Sequence, residues 1–145
     1  LVISASEDIG LANPNAMLVA NACFDTLQKI GWPEGRIPLA MATVYLATSQ
    51  KSNSAYLAIN QALETVEKTG SLPVPLHLRN APTKLMDELG YGEGYKYAHD
   101  FPNHFVEQQF LPDALQGTQF WHAQGSPQEQ KMADWMKHLW GNKKK

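Results

Sequence analysis

The chain has 145 residues, 43% of them hydrophobic, enough for one cored domain and giving no reason to divide it. Lys and Arg number 12 against 14 Asp and Glu, so the broad positive field of a nucleic-acid binder is excluded and any such contact has to be local. A single cysteine, Cys23, rules out an internal disulfide and a multi-cysteine zinc site and fits a reducing compartment, the cytoplasm. No apolar run approaches the roughly 18 residues of a membrane span, and no signal peptide opens the chain, so a soluble domain is expected.

The opening LVISASEDIG lacks an initiator Met and places three apolar residues at the very end, as expected of a piece cut from a longer protein with a domain upstream. Asn13 and Pro14 then predict a helix start, Asn13 as cap and Pro14 in the first turn, running to Ile30 and stopped by Gly31. Its stripe of Ala16, Ala20, Cys23, Leu27 and Ile30 keeps helical spacing. Met17, Val19 and Phe24 fall off that stripe, which predicts a central helix covered by several neighbours. Residues 37–49, IPLAMATVYLATS, carry no charge and favour helix. A short helix apolar all round is expected to be buried on every side, inside the domain or against another subunit. The next helix is amphipathic: Ser52, Asn53 or Ser54 caps it, Tyr56, Ile59, Leu63 and Val66 share one face, Asn60, Glu64 and Lys68 lie largely opposite, and Gly70 ends it.

From residue 71 the run SLPVPLHLRNAP places three prolines in a dozen positions, which excludes long regular structure there. Asn80 and Pro82 predict a short helix over residues 83–89, closed by Gly90. Residues 95–125 read as irregular, with a short strand pair around YKY and TQFW. Ser126, Pro127 and Glu129 form a capping box that opens a closing helix, with Met132, Trp135, Met136, Leu139 and Trp140 on one face and a solvated lysine tail at 143–145. The expected fold is mainly α: a helical part over about residues 1–70, a proline-rich and irregular part over about 71–125, and a closing helix over about 126–141.

Motifs that would carry chemistry are missing. Gly90, Gly92 and Gly94 are spaced G-x-G-x-G and follow a helix, so they read as turn formers rather than a dinucleotide loop. Lys51-Ser52 matches only the last letters of a phosphate loop. No H-E-x-x-H pair or G-x-S-x-G elbow is present, and Cys23 in an apolar stripe acts as a small hydrophobe. No catalytic, cofactor-binding or metal residue is therefore assigned. His99, Asp100 and His104 are the one grouping with metal-ligand chemistry, on which an autonomous metal-dependent enzyme would have to be built, while His77, His122 and His138 are scattered. Tyr91, Tyr95 and Tyr97, beside Lys96 and near Arg79 and Lys84, would make an aromatic and basic surface for single-stranded DNA; the plain alternative is that the rings pack and expose their hydroxyls.

Three long runs, LVISASEDIGLANPNAM, GWPEGRIPLAMATVYLATSQKSNSAY and LPVPLHLRNAPTKLMDELGYGEGYKYAHD, resemble the C-terminal region of the RarA/MgsA family. These are replication-associated recombination ATPases related to the eukaryotic Werner-helicase-interacting protein. The resemblance covers about residues 1–121, and the closing helix matches only loosely. It implies a missing upstream AAA+ ATPase domain, similar to clamp-loader subunits, that carries ATP and Mg. This chain would be the helical collar behind it, assembling the parent into a homotetramer and hydrolysing nothing itself. It further implies action at stalled forks in the bacterial cytoplasm, at the nucleoid, with DNA and single-stranded DNA-binding protein as partners and no membrane. The alternative reading, from the residues themselves, makes the tyrosine-rich loop a binding module for single-stranded DNA or a replication protein.

Overall fold

The structure, a computed structural model, describes residues 1–141, so the lysine tail at 143–145 lies outside the described residues. Regular structure among them is entirely helical: α1 (Val2–Ser4), α2 (Asn15–Ile30), α3 (Arg36–Thr48), α4 (Ser54–Thr69), α5 (Lys84–Glu88) and α6 (Pro127–Trp140). They form two compact units, Leu1–Glu64 with Phe120–Met136, and Thr65–Gln119 with the described residues from Lys137.

In the first unit α1 runs into a π-turn over Ala5–Ile9 and a 3-10 turn over Gly10–Ala12, and α2 packs on α3 and on the π-turn. The core is small: Ala5, Ile9, Ala16, Ala20 and Leu46, with Val2 against it. Alanines at these positions let the elements approach closely but bury little apolar area. The α2 stripe is realised through Ala16, Ala20 and Cys23, all buried, and Gly31 ends the helix at φ +63.

Some sequence expectations need correction here. Asn13 does not cap α2; its amide donates to the Tyr45 hydroxyl and to Ser49 Oγ at 3.2 and 3.1 Å, and Pro14 occupies the cap position with no side-chain cap. Tertiary partners on α3 outcompete the helix's own first turn for that amide. Nor is α2 covered all round, because Met17, Leu18 and Phe24 stay exposed. The short helix α5 is capped by Thr83, whose Oγ1 accepts the Met86 N–H, rather than from Asn80. The strand pair around YKY and TQFW is not formed among the described residues. Instead the Tyr95 N–H donates back to Gly92 O at 3.2 Å, which closes a turn where a ladder would need it free.

The capping box is real and does more than cap. Ser126 Oγ accepts the Glu129 N–H at 3.2 Å, and Glu129 is fully buried. Its carboxylate accepts hydroxyl hydrogens from Ser126 at 2.9 Å, from Ser52 at 2.8 Å and from Ser54. Burial alone would push the carboxyl up; the hydroxyls of Ser54, Ser52 and Ser126 and the Gln124 backbone outweigh it and hold it below its ordinary value. Ser52 extends the linkage, since its N–H donates to Asp8 O at 2.8 Å. One carboxylate thus ties α6 to the start of α4 and, through Ser52, to the π-turn.

In the second unit, hydrogen bonds from irregular backbone replace regular elements. Gly92 N–H donates to Leu76 O at 2.9 Å and Tyr91 N–H to Met86 O at 3.1 Å, folding the glycine loop onto the turn at Leu76–Leu78. Gln109 bridges its own neighbourhood, Nε2 donating to Leu111 O and Asp113 Oδ1 at 2.8 and 2.7 Å. Phe105 meets the Trp140 ring edge-on at 4.9 Å, beside the buried Val106.

Candidate functional site

On α3 the residues facing the core are Ala42 and Leu46, four apart, whereas Ile37, Met41 and Val44 recur at spacings of four and three on a face that is 62–67% exposed. An uncharged helix expected to be covered on every side is therefore covered on one. The same holds for α4, whose stripe of Tyr56, Ile59, Leu63 and Val66 is 42–60% exposed. In an amphipathic surface helix this is the stripe that should face the core. Exposed leucines taken singly mean nothing, but an uncharged stripe along one face of a helix marks an interaction surface. Spacing revealed the α4 stripe, and the lack of charge marked residues 37–49; only the packing shows which faces point outward.

The tyrosine-rich loop is less uniform than its sequence suggests. Arg79 is engaged: Nε donates to Val74 O at 2.6 Å, Nη1 to the Tyr91 hydroxyl at 3.2 Å, and the guanidinium lies 5.0 Å from the Tyr91 ring centroid. Tyr91 is accordingly half-buried and packed, while Tyr95 and Tyr97 are each 55% exposed and Lys96 and Lys84 are exposed. Acidic residues lie among them: Asp87 and Glu93 line one hollow with Arg79, Tyr91 and Tyr95, and Glu107 lines another with Lys96. Gly90, Gly92 and Gly94 have φ between +77 and +79 and lead from the end of α5 into irregular chain. A phosphate cradle needs such a loop to open a helix, so these residues do not fit a nucleotide.

The His99 ring lies 5.1 Å from Tyr97 and 4.9 Å from His104, in a tilted stack. Among the described residues no three His, Cys, Asp or Glu side chains converge on a metal position. No helix there is long and apolar enough to cross a membrane.

The family described as MgsA AAA+ ATPase C terminal matches residues 1–140. The chain belongs to this family. The match takes in α6, which the sequence resemblance had reached only loosely. The chain is 47% identical over 122 residues to replication-associated recombination protein A of Coxiella burnetii, covering 83% of the chain and 28% of that protein. The corresponding protein of Bacillus subtilis is 46% identical over 121 residues, 83% of the chain and 29% of its own length. ATPase WRNIP1 of Dictyostelium discoideum is 41% identical over 121 residues, 83% of the chain and 14% of its own. The domain thus spans less than a third of each of these relatives.

Proposed function

We propose that this chain is the assembly domain of a AAA+ ATPase of replication-associated recombination, joining copies of the parent into a tetramer while ATP and Mg are used in an ATPase domain outside it. The observation that carries this is the pair of outward, uncharged stripes, one on α3 and one on α4: a small core rich in alanine leaves apolar surface that a further copy would cover. The parent is expected in the cytoplasm at stalled forks, with DNA and single-stranded DNA-binding protein as partners.

Light scattering tests it. The wild-type chain should run at four times its 16.1 kDa. Met41→Asp with Leu63→Asp should give a monomer, because a carboxylate forced into an apolar interface costs more than the roughly 2 kcal/mol that each lost side-chain burial contributes. A wild-type monomer at tens of micromolar would sink the proposal.

A second reading, contact with single-stranded DNA, is favoured by the exposure of Tyr95 and Tyr97 around Lys96. Stacking contributes on the order of 1–3 kcal/mol per base, so Tyr97→Ala should weaken binding to an oligothymidylate roughly tenfold in fluorescence anisotropy. Lys96→Ala should make that binding less salt-sensitive. Undetectable wild-type binding at low salt rejects this reading, and the acidic surroundings make that outcome a sharp test.

A further inference from the structure

We propose that the groove beside residues 106–111 docks an extended peptide segment of another protein, paired along residues 106–110 as an added strand. The run FVEQQFL from Phe105 is in neither helix nor strand, and the backbone groups of Val106, Glu107, Gln108 and Phe110 enter no backbone–backbone hydrogen bond among the described residues. Backbone groups left unpaired in this way are available to pair with an extended chain. Beside it lies a groove of about 790 Å³ whose walls include Lys96, Val106, Gln108, Phe110, Leu111 and Trp140.

One polar atom says what the occupant must bring. Gln108 Nε2 donates to Lys96 O at 3.3 Å, while Gln108 Oε1 is buried with no hydrogen-bond partner. A buried amide oxygen calls for an N–H or O–H donor. A peptide supplies an N–H at the spacing of an extended backbone and, at alternate positions, an apolar side chain for Phe110, which is 52% exposed and stands edge-on to Trp140 at 6.1 Å. A nucleic-acid backbone supplies phosphate acceptors instead and would meet Glu107 on the same wall.

The test uses peptides selected from a random displayed library on the full chain, then synthesised and titrated by NMR. Selected peptides should alternate apolar and polar residues and shift the backbone amides of residues 106–110 and the side-chain amide of Gln108. Gln108→Leu removes the orphan acceptor, so it should lower affinity about tenfold while leaving the melting temperature unchanged or raised. Phe110→Ala, at an exposed position, should weaken binding similarly. Failure to select any peptide, shifts confined to other surfaces, or undiminished affinity in both variants overturns the proposal. None of these readouts depends on whether copies assemble through α3 and α4.

Discussion

Replacing Glu129 by Ala is expected to lower the unfolding free energy by about 3 kcal/mol or more, because the hydroxyls of Ser52, Ser54 and Ser126 lose their shared acceptor in a buried site. The urea midpoint by circular dichroism reads this directly. A loss under about 1 kcal/mol would mean that the serines find other acceptors and that the carboxylate is not the tie described. The same group sets an acid limb. Its folded carboxyl titrates below the ordinary 4.5, so its contribution is complete above that pH and is lost as the pH falls through the lower, folded value. Glu129→Gln keeps the shape but removes the titration. Its stability should vary less with pH below about 4.5 than that of the wild type, and superimposable acid limbs would refute the assignment.

Gly10→Ala should be comparably damaging. Gly10 has φ +48, and a Cβ there would lie 2.7 Å from Ser52 O, a backbone atom fixed by the Ser52 N–H to Asp8 O bond. Strain and collision together should cost about 3 kcal/mol or more, a fall in melting temperature of roughly 10 °C for a chain of this size. Gly125→Ala is the control: φ is +83, but nothing lies within 4 Å of the added carbon, so only the conformational cost of about 1 kcal/mol applies. Equal effects at the two positions would show that the approach to Ser52 does not matter.

Period and punctuation made much of the helical part legible. The α2 stripe as far as Cys23, Gly31 as its stop and the box at Ser126 and Glu129 depend on contacts within a few residues and appear where their spacing puts them, whereas Ile30, the last member of the stripe, is exposed. What failed depended on partners far along the chain. Asn13 looked like a cap because capping is local, but Tyr45 and Ser49 lie more than 30 residues away and take its amide. YKY looked like strand because tyrosines favour strands, yet no paired strand was supplied. Gly10 was indistinguishable from any loop glycine until Ser52 stood against it. In the tyrosine loop, sequence brought six residues together by proximity. The structure separates Arg79 and Tyr91, already bound to each other, from the exposed Tyr95, Lys96 and Tyr97.

The shared acceptor also governs the order in which this part of the chain can change. Exchanging Glu129 alone takes a shared acceptor from three buried hydroxyls, of which Ser52 keeps Gln124 Oε1 at 3.1 Å, and exchanging the serines alone leaves a buried carboxylate with the Gln124 backbone only, so each single step is a loss. Even an all-apolar set at the four positions would remove the acceptors of Trp121 Nε1–H, which donates to Ser54 Oγ at 2.9 Å, and of the Ser54 and Glu129 N–H groups, which donate to Ser52 and Ser126 Oγ. Residues 52, 54, 126 and 129 therefore constrain one another's evolution: each substitution changes the cost of the next, and their effects will not add.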